Sequence, residues 1–148
     1  MLLFHATTTE YLLNILKINK LTSNKINKNV NYGFDNYIND YIYLSCIPKN
    51  RIKRLKGLCV IIFKSDILLN KNFTISSEWT PIEPEINNYS FYKSKNINEI
   101  NEILLKLFNS NKYPYQYTNQ IAVKNKIINI NNYIHTIVIN NIKYKYTL

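Results

Sequence analysis

The sequence predicts an α+β domain. Two stretches place apolar residues at helical spacing, several short runs are rich in β-branched and aromatic residues, and asparagine pairs separate the later runs. At 148 residues the chain is long enough for one domain, residues 1–148, that buries roughly two-thirds of its unfolded surface. No internal repeat is visible.

Leu2-Leu3-Phe4-His5-Ala6-Thr7 is a short apolar run that delivers a histidine and a hydroxyl into the turn before a helix. Thr7-x-x-Glu10 has the form of a capping box, and Leu12, Ile15, Leu16, Ile18 and Leu21 form an apolar stripe, which predicts a helix from about Thr8 to Asn19. Residues 22 to 40 are rich in Asn and Lys, contain Gly33 and lack a period, so they read as a loop: an ordinary polar connection, or one that closes over a ligand.

Tyr41 to Ser45 and Leu58 to Phe63 are strand-length runs, the second apolar enough for a central buried strand. Between them Lys49 to Lys56 carries five basic residues in eight, with Ile52 and Leu55 spaced for a short basic helix. Asn96-x-x-Glu99 is a second capping box, and Ile97, Ile100, Ile103, Leu104, Leu107 and Phe108 define an amphipathic helix near 97–109. Asn119 to Val123, Tyr133 to Ile139 and Ile142 to Tyr146 then read as strands. Asn131-Asn132 and Asn140-Asn141 turn the chain, because asparagine tolerates left-handed backbone.

The formal net charge of +10 suits a polyanionic partner. Abundant Asn, Ile, Lys and Tyr beside only 2 glycines is also what an AT-rich genome imposes through its codons, so charge alone argues modestly for nucleic acid. Cys46 and Cys59 are too far apart for a CxxC motif, and with only His5 and His135 to add, no zinc or other metal site is expected. The chain shows no secretory signal and no apolar run of roughly 18 residues, so the expectation is a soluble, cytoplasmic protein of a reducing compartment that does not engage a membrane.

The opening His5-Ala6-Thr7 and the helix after it resemble the start of ADP-ribosyltransferase-fold proteins, and among these the DarT-type toxins, which modify bases of single-stranded DNA with NAD. The likeness continues in Tyr43-Leu44-Ser45, similar to the strand whose aromatic ring packs on nicotinamide. It extends to Gln120-Ile121-Ala122-Val123 followed by Tyr133 to Ile139, similar in order and spacing to the family's late strand pair. The resemblance implies mixed or antiparallel sheets and an NAD-binding transferase.

It also implies roles for particular residues. His5 would hydrogen-bond a ribose hydroxyl, the Ala6 backbone would bind the nicotinamide amide, and Thr7 and Ser45 would line the cofactor site. Tyr43 would stack on the ring, although a half-buried cross-strand aromatic is the simpler reading of any one of 13 tyrosines.

Gln120 departs from the family, which usually has the catalytic glutamate at this position. A carboxylate there offsets oxocarbenium charge and takes a proton; an amide makes only the hydrogen bond. Glu102 is the last acidic residue of the chain, so realignment supplies no substitute. Glu10, Glu78, Glu83 and Glu85 are other carboxylates able to reach a pocket, but isolated carboxylates are usually surface charges. Three explanations stand: a weak transferase that uses glutamine for positioning, an inactive relative that binds a nucleotide, a nucleic acid or a protein as a viral or mobile-element inhibitor would, or a substitution that silences a toxic enzyme.

A relative of tRNA 2′-phosphotransferases, which share the opening pattern, fits less well with only Arg51 and Arg54 in the chain. No catalytic triad, glycine-rich phosphate loop or glycosidase carboxylate pair is present.

The resemblance places acceptor recognition just before Gln120, where Tyr113, Tyr115 and Tyr117 alternate. They stack bases or they form an edge strand. The basic run with Lys49, Arg51, Lys53 and Arg54 contacts phosphates of single-stranded DNA or RNA or is a solvated helix face. Counterion release separates these readings. Arg51→Ala/Arg54→Ala is expected to flatten the slope of log affinity against log salt by about 1.4 for single strands, while Tyr115→Ala weakens binding at unchanged slope. Fluorescence anisotropy with short oligonucleotides at several salt concentrations checks both, and an unchanged slope in the double variant rejects the phosphate surface.

Overall fold

The computed structural model describes residues 1–23, 41–47, 59–76, 90–109, 120–125, 127–140 and 142–146. The basic run 49–56, most of the 22–40 loop and the tyrosines at 113, 115 and 117 lie outside the described residues, as do Glu78, Glu83 and Glu85.

The chain alternates strands with two helices: β1 (Leu2–Thr7), α1 (Thr9–Ile18), β2 (Lys20–Thr22), β3 (Ile42–Ile47), β4 (Cys59–Lys64), β5 (Phe73–Ser76), α2 (Ile97–Asn109), β6 (Gln120–Val123), β7 (Ile127–Asn129), β8 (Ile134–Ile139) and β9 (Ile142–Lys145). Seven strands form one sheet in the order β5-β6-β3-β1-β4-β8-β9, and β2 and β7 form a separate pair. Every described pairing is antiparallel. The class is α+β, as the alternation of periods implies.

β1 and β4 lie at the centre because their apolar runs tolerate burial on both faces. Side chains directly opposite each other across a ladder share a face. On one face Leu3, Leu44, Ile61, Phe63 and Ile121 join Leu12 of α1, Ile100 and Leu104 of α2 and Ile128 of β7 in the main core. On the other, Val60, Ile62 and Val138 form a smaller cluster under Leu2, Phe4 and Ala6. β8 carries a bulge opposite Ile62 and Phe63 that leaves His135 outside the ladder, exposed, its Nδ1 2.7 Å from Thr136 Oγ1. β9 is the last strand of the sheet and is exposed along its whole length.

The helix ends explain where the sequence signals shift. The N-cap of α1 is Thr8, whose hydroxyl accepts from the Tyr11 N–H, one residue later than the Thr7 box suggests, because Thr7 is still paired with Cys59 in the sheet. The Asn96 signal holds in a relayed form. Asn96 Oδ1 accepts from the Asn98 N–H at 2.9 Å, while Glu99, instead of reaching the Asn96 N–H, accepts from Ser94 Oγ, which itself accepts that N–H at 2.9 Å. Ser65 Oγ donates to Asn101 Oδ1 at 2.6 Å and ties α2 to the short 3-10 turn Ser65–Leu68.

Leu21 is a core residue, but it reaches the core from β2 and not from the helix stripe, since α1 stops at Asn19 in left-handed conformation with φ 57°. The Asn19 amide oxygen accepts from Asn131 N–H at 2.7 Å and Ile130 N–H at 3.3 Å, fixing the end of α1 to a chain segment more than a hundred residues away. Asn19→Gly, which keeps the left-handed backbone and loses the amide, is expected to cost about 1–3 kcal/mol. Asn19→Ala adds about 1–2 kcal/mol of left-handed strain. Urea unfolding of the two variants measures the two terms separately.

Candidate functional site

β1 separates two neighbours with different reach. Its ladder with β4 runs from Leu2 to Thr7, whereas its ladder with β3 covers only Leu2 to Phe4 and ends at the Phe4–Ser45 pair. From His5 onward β1 leaves β3, and the His5 ring crosses the gap, with Nδ1 3.3 Å from the Tyr43 backbone oxygen. A carbonyl only accepts, so Nδ1 carries the proton and Nε2 of a neutral ring keeps a lone pair for another donor. Burial lowers the His5 pKa below its ordinary 6.5 and so favours that neutral form; the bond to Tyr43, which raises the pKa, offsets this in part.

Thr7 and Cys59 are opposite each other at the end of the β1–β4 ladder, and Cys59 Sγ lies 3.4 Å from Thr9 Oγ1. Thr7 is only 4 % exposed, and its buried Oγ1 has no hydrogen-bond partner among the described residues. An unpartnered buried hydroxyl costs about 1–3 kcal/mol and is uncommon. Ser23 Oγ is in the same condition at the end of β2.

Tyr43 and Ser45 alternate with the core residues Ile42, Leu44 and Cys46, so they fall on the opposite face from His5 and Thr7. Tyr43 is half-buried and its ring centroid is 6.5 Å from that of Tyr41, which in turn stacks on Phe91 at 6.2 Å. Lys124 Nζ sits 5.5 Å from the Phe91 centroid. Gln120 takes the register position across from Ser45 in β3 and Ser76 in β5. Ala6 pairs with Val60.

The expected site residues therefore assemble as two groups. Tyr43, Ser45 and the Gln120 position share one stretch of β3 and β6; His5 and Thr7 share the end of β1, on the other face. The His5 bond to the Tyr43 carbonyl joins them. Glu10 is exposed in the first turn of α1. Cys46 is buried, which pushes its thiol up to about 12 and removes it as a nucleophile. No described group of three or more His, Cys, Asp or Glu residues is placed to hold a metal, and no described helix is long and apolar enough to cross a membrane.

Sequence reasoning gave no binding role to any of the residues around an asparagine-lined cavity of about 430 Å³ that includes Lys71 and Tyr133. No spacing signal marks it, because its lining comes from five separate turns and strands. Comparison with protein-family models, with curated proteins and with solved structures finds no match to the chain.

The lowered His5 pKa has a stability consequence with a definite sign. Below pH 6.5 the unfolded chain protonates this histidine while the folded chain resists, so the contribution is complete above 6.5 and is lost as pH falls towards the lower folded value. Between pH 7 and about 5.5 the wild type is expected to lose stability with a slope of at most about 1.4 kcal/mol per pH unit that is absent from His5→Gln. Urea midpoints across that range check it, and equal slopes for both proteins reject it.

Proposed function

We propose that this chain is an ADP-ribosyltransferase-like domain that takes NAD, or a closely related nucleotide, at the gap where β1 leaves β3. The observation that carries the reading is strand adjacency: the segments of family likeness that hold His5, Tyr43 and Gln120 lie far apart in the chain yet sit on consecutive strands in the order β1-β3-β6, while the remaining segment, Tyr133 to Ile139, supplies β8, beyond β4. Two further features support it. His5 offers an unprotonated Nε2 suited to a ribose hydroxyl, and Thr7 holds a buried hydroxyl with no partner among the described residues.

In this reading the nucleotide straddles the gap. Its ribose meets His5 and Thr7, β1 backbone freed from the β3 ladder after Phe4 meets the nicotinamide amide near Ala6, and the nicotinamide lies towards Tyr43 and Ser45. Gln120 then positions a ribose hydroxyl without accepting a proton or balancing the charge that develops as the glycosidic bond breaks. Loss of general-base work alone is typically worth about 10²- to 10⁴-fold in rate. The acceptor class, a base of single-stranded nucleic acid, follows from the DarT likeness and the net charge of +10.

A second reading, a non-catalytic module that keeps the pocket for binding a nucleotide, nucleic acid or protein, is favoured by one specific observation: no acidic residue follows Glu102, so the late strands hold no carboxylate to replace the missing one.

Calorimetric titration of NAD into wild type and His5→Ala tests the pocket, with at least about tenfold weaker binding expected for the variant. Equal affinity, or none in either protein, rejects the nucleotide site. Incubating wild type and Gln120→Glu with labelled NAD and single-stranded DNA then separates the two readings. Label transfer by the glutamate form alone means a competent scaffold silenced at one atom pair, and transfer by neither means a binding module.

A further inference from the structure

The cavity of about 430 Å³ lies away from the β1–β3 gap and shares no residue with it. Five asparagines line it together with Lys71, Tyr133 and Ile128, and no carboxylate contributes to its described wall. Its volume is that of a small-molecule site.

Lys71 is the feature that calls for a ligand. Its ammonium is half-buried, and among the described residues it makes no ion pair; its one described partner is the face of the Tyr133 ring, 5.9 Å from Nζ to the centroid. Desolvation lowers its pKa from 10.5, the mark of a charge that the protein does not compensate. An aromatic face offsets such a charge only partly.

The wall around it is held in place before any ligand arrives. Lys71 follows Asn70, a left-handed residue with φ 59° whose N–H donates to the Ser94 carbonyl at 2.8 Å, and the Lys71 N–H donates to the Leu68 carbonyl at 3.1 Å. The Asn19 amide oxygen, also part of the lining, is occupied by the Ile130 and Asn131 N–H groups, which fixes this side chain. Preorganisation of this kind lowers the ordering cost of binding.

Carboxamides both donate and accept, which matches hydroxyl groups; a desolvated ammonium in a wall with no described carboxylate matches an oxyanion with several oxygens. We propose that this cavity binds a phosphate monoester carried on a hydroxylated ring, with the phosphate on Lys71 and the hydroxyls on the asparagines. A free sugar phosphate and a nucleoside monophosphate share that chemistry. The site is independent of the nucleotide reading of the β1–β3 gap.

Isothermal titration calorimetry of the full chain with ribose 5-phosphate, AMP, inorganic phosphate, ribose and glucuronate tests the assignment. Saturable binding of a phosphorylated ring is expected, tighter than inorganic phosphate, ribose or glucuronate, and weakened at least about tenfold in Lys71→Gln. The same loss is expected in Asn132→Asp, which sets a like charge against the phosphate at an exposed lining position and carries the test should Lys71→Gln fail to fold. Tighter binding of AMP than of ribose 5-phosphate identifies a nucleotide as the source, and the reverse identifies a free sugar. No saturable binding of either, binding indifferent to the cavity variants, or glucuronate binding as tightly as ribose 5-phosphate overturns the proposal.

Discussion

β1 has to satisfy a neighbour on each side, and it does so fully for only three of its six residues. Leu2, Leu3 and Phe4 pair with both β3 and β4, while His5, Ala6 and Thr7 keep β4 alone. A backbone that leaves one ladder exposes polar groups that must find other partners. The His5 ring fills part of that need by donating to the Tyr43 carbonyl. The same departure opens the gap, sets the histidine tautomer, and leaves the Thr7 hydroxyl buried at the ladder end. It also puts Cys59 and the first residue of α1 within reach of each other.

Much of this was legible in the sequence wherever an element was long enough to show its period. α2 is marked by apolar residues through three turns, and β4 by an unbroken apolar run; both lie where that reading puts them, within a residue or two. β2 and β7, of three residues each, are too short to display alternation, so the small second sheet is invisible in the sequence. Leu21 was credited to the helix stripe because residues 18 and 21 fit a helical step, and only the left-handed break at Asn19 shows otherwise.

The candidate site was legible as a set of residue types but not as a geometry. His5, Tyr43 and Gln120 are conspicuous in sequence, yet the alternation that puts Tyr43 and His5 on opposite faces follows from the register Phe4–Ser45, which no single strand encodes. The Lys71 cavity left no trace at all, since a lysine in a turn and scattered asparagines look like ordinary surface.

Asparagine takes over a task in this chain that glycine usually performs. With only 2 glycines available, all three described non-glycine residues at positive φ are asparagines: Asn19, Asn70 and Asn140. Each tolerates the left-handed well, and unlike glycine each brings an amide to the turn. At Asn19 that amide binds two distant N–H groups. An asparagine-rich composition thus has a structural effect: at Asn19 the turn becomes a hydrogen-bonding node.

The exposed last strand of the large sheet bears on how the protein behaves in concentrated solution. Among the described residues β9 has a partner on one side only, and Ile142 and Tyr144 on it are 58 % and 49 % exposed. Such a row of unpaired backbone groups with apolar side chains is a template for another copy's strand. Lys143 and Lys145 alternate with them, and two ammonium groups on each edge repel a second identical edge. That repulsion is electrostatic and reaches only about 10 Å at 0.1 M salt, shrinking to about 3 Å at 1 M. The repulsion that Lys143 and Lys145 set at this edge therefore weakens as the salt concentration rises.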